Sequence, residues 1–176
     1  LLRLTRDEAP SVRRAAFAGL VASGSVRVAP RLEAERERVV RAGLDDDDDE
    51  VANACVTLAR DAGARAWLVE VGFDPSRSGP RREAAITALG PLASAEDLEP
   101  SLALACADPL RFGACVRVFL LEAHRRGVFV RAAAIPDLLA AFDAHEGWTG
   151  ELLVRVAHIA RAALIAALAE QPADDR

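Results

Sequence analysis

Lysine, methionine and tyrosine are missing from this 176-residue chain, and all 22 of its basic residues are arginine. Without lysine, a phosphate-cradling loop of the GxxxxGK type cannot be built, and no GxGxxG stands in its place. Aromatic residues make up only 5%, and β-branched runs are scarce, which argues against sheets. No apolar stretch approaches the roughly 18 uncharged residues of a membrane span; Ile159–Ala169 is short and interrupted by Arg161. No signal peptide is apparent.

Cysteine is also scarce. Cys55, Cys106 and Cys115 form no CxxC pair and lie within apolar helical stretches, so the expectation is three small core residues in a reduced, cytoplasmic setting. Neither GxSxG nor a Cys–His–acid arrangement occurs. The three histidines, His124, His145 and His158, offer no HExxH spacing. Asp143, His145 and Glu146 are close in sequence, but on a helix i and i+2 face apart, so they read as a polar helix end. No catalytic residue, metal site or cofactor site is therefore expected. The net charge of −5 lacks the basic face that nucleic acid requires.

What remains is alanine, arginine and repetition. Val12-Arg13-Arg14-Ala15-Ala16-Phe17-Ala18-Gly19-Leu20 sets a template, and Arg81-Arg82-Glu83-Ala84-Ala85-Ile86-Thr87-Ala88-Leu89 repeats its paired alanines and closing Leu. Looser copies open at Val51, Leu110 and Val154. Val12, Ala15, Ala16 and Leu20 share a helix face at i, i+3, i+4 and i+8. A spacing near 30 residues fits two short helices and two turns, and a lone hairpin cannot bury such a face. Asp7, Asp46 and Asp108-Pro109 mark helix starts; Gly63, Gly79-Pro80, Gly127 and Gly147 mark breaks. The expected helices span roughly 10–22, 29–43, 49–61, 63–71, 81–93, 95–107, 110–126, 134–145 and 149–170.

The pattern Asp-x-x-x-x-Val-Arg-x-Ala-Ala-x-x-x-Leu, followed by a second helix such as Glu99–Ala105, resembles the short bacterial HEAT-like repeats first described in phycobilin lyases. The resemblance implies an all-α, right-handed α-solenoid (an alpha-alpha superhelix, armadillo-like) of four to five helical hairpins over residues 1–176, read as one domain and a piece of a longer chain. It carries over packing positions and no active site. It also implies a scaffold or adaptor that binds a protein partner, with self-association through exposed terminal repeats as a further route. A HEAT-like-repeat lyase or enzyme-associated subunit is the alternative, and a nucleic-acid-binding repeat protein, resembling the HEAT-like DNA glycosylases, the second.

Three features bear on a binding face. Asp45 to Glu50 are six consecutive acids, read as an inter-helix turn with Asp48 or Asp49 capping the next helix. Arg13, Arg82, Arg111 and Arg155 recur at one repeat position, read as an Arg–Asp ladder with Asp7, Asp46 and Asp108 rather than a phosphate-binding strip. On the second helix Glu35–Arg38 and Glu37–Arg41 are spaced to pair. Arg36, Arg38 and Arg41 of that helix, with Trp67, are the expected partner contacts, because second helices line the inner face of such solenoids. Trp67 is preferred over Trp148 for its place on a short second helix beside a loop.

Overall fold

The computed structural model describes residues 1–23 and 30–128. It forms two compact units, Leu1–Leu92 and Ala93–Arg176. All regular structure among the described residues is helical, and no described helix is long and apolar enough to cross a membrane. The expected helices at 134–145 and 149–170, the Ile159–Ala169 stretch, the copy at Val154, Trp148, and the residues Asp143, His145, Glu146, Arg155 and His158 lie outside the described residues.

The first unit opens on a 3-10 turn, Leu4–Arg6, and continues with α1 (Pro10–Ala22), α2 (Pro30–Gly43), α3 (Asp49–Asp61), α4 (Arg65–Phe73) and α5 (Gly79–Leu89). Local chemistry explains the boundaries. Pro10 and Pro80 sit in first turns, where a missing N–H costs nothing. Asp48 caps α3 by accepting from the backbone N–H groups of Glu50 and Val51, and Asp49 and Glu50 add charge favourable to the helix N-terminus. The chain leaves α3 through Gly63 at φ 70°, a left-handed conformation that glycine adopts without a Cβ penalty.

Packing gathers on α3, against which α1, α2, α4 and α5 all lie. It buries Val51, Ala52, Cys55, Val56, Leu58 and Ala59, the apolar face of its sequence copy. In α1 the buried stripe runs through Ala16, Phe17 and Leu20, with Val12 half-buried. Ala15, expected on that face, lies beyond its edge and is exposed. Each fully buried large apolar side chain contributes about 1.5–3 kcal/mol, whereas exposed ion pairs contribute little. The apolar stripe therefore holds the helices together.

The second unit contains a 3-10 turn, Ala95–Asp97, then α6 (Leu98–Ala107) and α7 (Pro109–Arg125), which pack on each other. Ser94 and Asp97 form a reciprocal capping box before α6. Asp108 caps α7 by accepting from the Arg111 N–H at 3.2 Å, and Gly127 closes it at φ 82°.

Caps correct the repeat register. Ala9, Asp48, Ser78 and Asp108 are the N-caps of α1, α3, α5 and α7, so the last three copies follow at intervals of 30. The fourth copy therefore begins at Arg111, not Leu110, and Cys115 and Val116 take the places of Cys55 and Val56. Leu110 is 88% exposed, as one helical step of 100° requires. Of the cysteines, Cys55 and Cys115 are buried, but Cys106 is exposed and is not a core residue.

Among the described glycines, the closest approach of neighbouring side chains is at Gly43, at the end of α2. A Cβ there would overlap the Cys55 sulfur and come within 2.9 Å of Phe17 Cζ. Gly43→Ala should therefore destabilise the protein by about 1–3 kcal/mol, as overpacked cores do. Adding Cys55→Ala, which removes the overlapping sulfur, should recover part of that loss, measured as a non-additive shift in the urea midpoint.

Candidate functional site

Two clusters of functional side chains stand out in the first unit. One lies along the turn between α2 and α3, the other along α2 and α4.

The six-acid run forms the first. Arg13 of α1 presents its planar fork to Asp46, with Nε donating to Oδ2 at 2.9 Å and Nη2 to Oδ1 at 2.8 Å. Its Nη2 also reaches Asp47 Oδ1 at 2.8 Å, and its Nη1 donates to the carbonyls of Asp7 and Glu8. Arg14 pairs with Asp48 and Glu50. From the other flank, Arg77 pairs with Asp45 and with Asp74, and Arg81 Nη2 donates to Asp49 Oδ1 at 2.9 Å. Four guanidinium groups thus engage a loop of six carboxylates.

This arrangement bears out the ladder reading for Arg13 and Asp46, and the capping reading for Asp48. It changes the membership. Asp7 offers Arg13 its carbonyl, while its carboxylate accepts from the Ala9 N–H. Arg82 donates to the Gly72 carbonyl, and the neighbouring Arg81 takes the carboxylate. Arg111 is exposed, unlike Val51 and Arg81 at the equivalent position, and Asp108 accepts from its backbone N–H rather than from its guanidinium. Arg14, Arg77 and Arg81 were not expected in the ladder. The signal for them was their place: Arg14 follows the template Arg, and Arg77 and Arg81 precede or open the copy after the acid run.

Ionisation follows from these partners. Burial opposes charge on Asp46, but hydrogen bonds from Arg13 and from the Asp48 backbone N–H outweigh it and hold its carboxyl below the usual value of 3.8. Asp48 is also lowered, chiefly by its bond from Arg14, and Asp74 by the Ser76 hydroxyl. Burial pushes the Cys55 thiol well up, with the Asp46 charge adding to it, so this cysteine is an inert core thiol.

The second cluster joins the expected contact residues. Arg41 of α2 pairs with Glu70 of α4, and its guanidinium carbon lies 5.7 Å from the centre of the Trp67 ring. Trp67 stands between two surface concavities. One, of about 330 Å³, is lined by Arg36, Glu37, Val40, Leu58 and Trp67, with alanines from the α3–α4 turn and α4. The other, of about 350 Å³, is lined by Glu37, Arg38, Arg41, Ala42, Asp45 and Trp67. Arg36, Arg38, Arg41 and Trp67 are thereby brought to one surface. Arg41 bonds to Glu70 on α4 rather than to Glu37 one turn earlier, and Arg38 is exposed and makes no ion pair with Glu35. Among the described residues no group of three or more His, Cys, Asp or Glu could hold a metal ion.

No protein-family model, curated protein or solved structure matches this chain.

The lowered carboxyls make a testable link to stability. Because the folded values of Asp46, Asp48 and Asp74 lie below the unfolded one, the folded state binds fewer protons. Their stabilisation is complete above the unfolded value of 3.8 and is lost as pH falls through the folded values. Asp46→Asn should therefore lower the urea midpoint at pH 7 and flatten its decline below pH 4. An unchanged acid limb would show that Asp46 does not carry this dependence.

Proposed function

We propose that this chain is a right-handed α-solenoid of HEAT-like helical hairpins serving as a protein-binding scaffold, with no chemistry of its own. Two features support the solenoid. The helices α1, α3 and α5, which carry the first three sequence copies, pack in succession, and the N-cap positions Asp48, Ser78 and Asp108 recur every 30 residues. Under this reading α2 and α4 are second helices, and their shared surface is the partner face.

The observation that carries the binding reading is the placement of Trp67 between two concavities whose linings mix guanidinium, carboxylate and apolar groups. Truncations that cost most at protein interfaces are concentrated in Trp, Tyr and Arg, set where apolar contact and directional hydrogen bonding coincide. Nucleic acid would call for a predominantly basic channel. Here Glu37, Asp45 and Glu70 stand among the arginines, and Arg41 already spends its charge on Glu70. Catalysis would need a convergent set of acid, base or nucleophile in a pocket; these concavities offer arginines, carboxylates at their rims and alanine.

The test is capture of bound proteins on the immobilised chain, compared between the natural sequence, Arg38→Glu and Trp67→Ala. Arg38 is exposed, so its reversal leaves the fold intact and changes only the surface. Each variant should weaken a specific partner about thirtyfold, the effect of losing a hot-spot contact of ~2 kcal/mol. Arg60→Gln, on the exposed side of α3, should leave binding unchanged. A partner retained equally by all four chains would remove the α2–α4 surface as the site.

A further inference from the structure

We propose that the acid loop Asp45–Glu50 is a mechanical coupler, through which loosening of the first helix α1 is transmitted to α5 and loosening of α5 to α1. The route runs through shared acceptor atoms on the α1 side and through the loop backbone beyond them. Asp46 Oδ1 accepts both from Arg13 Nη2 at 2.8 Å and from the Asp48 backbone N–H at 2.9 Å, so the bond that fixes α1 also closes the turn. Asp48, held by Arg14 of α1, is in turn the cap of α3 through Glu50 and Val51. The turn so shaped presents Asp45 and Asp49 to Arg77 and Arg81, which belong to the next repeat.

Each flank has partners outside the loop, Asp7 and Glu8 for Arg13 and Asp74 for Arg77, but its carboxylate contacts depend on the loop's conformation. Arg13 and Arg81 are 12% and 11% exposed, so their charges cannot simply return to bulk water when a carboxylate moves. Arg81 Nε lacks a hydrogen-bond partner, so Arg81 itself is fixed by its bond to Asp49, beside the Arg77–Asp45 pair. Six carboxylates facing four guanidinium groups leave a net negative loop, and losing one arginine raises the repulsion felt by the rest. Ion pairs and hydrogen bonds joined through one continuous turn form the kind of contiguous network that coupling between separated elements can follow.

The experiment is amide hydrogen exchange on the full chain, comparing the natural sequence with Arg13→Gln, Arg81→Gln and the double variant. Arg13→Gln should speed exchange about tenfold at residues 15–19 of α1 and also at 84–88 of α5, to which Arg13 makes no bond; Arg81→Gln should do the reverse. The double variant should fall short of the product of the single effects, since each substitution already releases the shared loop. Changes confined to the substituted flank, or effects that multiply independently, would overturn the coupling. The natural chain gives a second reading that needs no substitution. Raising NaCl from 20 mM to 1 M shortens the screening length to about 3 Å, and α1 and α5 should loosen together over one salt range. Separate salt ranges for the two helices would equally overturn it.

Discussion

Everything in the first unit depends on α3 having no free side within reach of its apolar face. Four helices pack against it, and six of its thirteen residues are buried. A helix of three to four turns is marginal in water on its own, because nucleation is costly and its own hydrogen bonds add little. Its stability must come from neighbours, and the neighbours need α3 for the same reason. Gly43 shows how close this packing is: α2 reaches α3 and α1 only because that position carries no side chain. The alanine-rich composition has the same logic, since small residues let backbones approach at the expense of area buried per residue.

Apolar packing sets how tightly the helices meet but is poor at setting their relative rotation. That task falls to the arginines. A guanidinium has five donors in a fixed plane, and Arg13 uses its donors on two carboxylates and two carbonyls at once. An ammonium group could not do this, so a chain devoid of lysine is suited to holding a helix edge in one orientation. Dense acid in one turn would destabilise most loops by repulsion. Here it is tolerated because one flank brings two arginines from α1 and the other brings Arg77 and Arg81.

How much of this was legible in the sequence depended on whether a feature was local. Caps and turns are local: Asp48, Pro10, Asp108, Gly63 and Gly127 all act where their residue chemistry placed them, and the spans of α1 and α3 followed. The ladder was legible as a principle, since recurring Arg and Asp at matched spacing pointed to paired charges. Its members were not. A step of one residue rotates a helical position by 100°, so a copy aligned on Leu110 in place of Arg111 assigned an exposed position to the core and misread Arg111. Ala15 and Cys106 failed for a related reason: apolar identity fixes preference for a face, but the width of the face is set by which neighbour arrives. The pairing of Arg41 with Glu70 joins residues of different helices, and only packing could disclose it.

That last pairing changes how the α2–α4 surface must be read. Of the three arginines on α2 singled out from sequence, Arg41 is structural: it ties α2 to α4 through Glu70 and covers part of the Trp67 ring. Replacing it would disturb the walls of both concavities, so a loss of binding on its replacement would say nothing about direct contact. Arg38 is the informative position, exposed on the rim of one concavity and free of any role in the pairing. Trp67 serves both ends, being a packing partner of Arg41 and a wall of each concavity. A ring fixed in this way has little side-chain entropy left to lose on binding, which is the condition under which one aromatic side chain can dominate an interface.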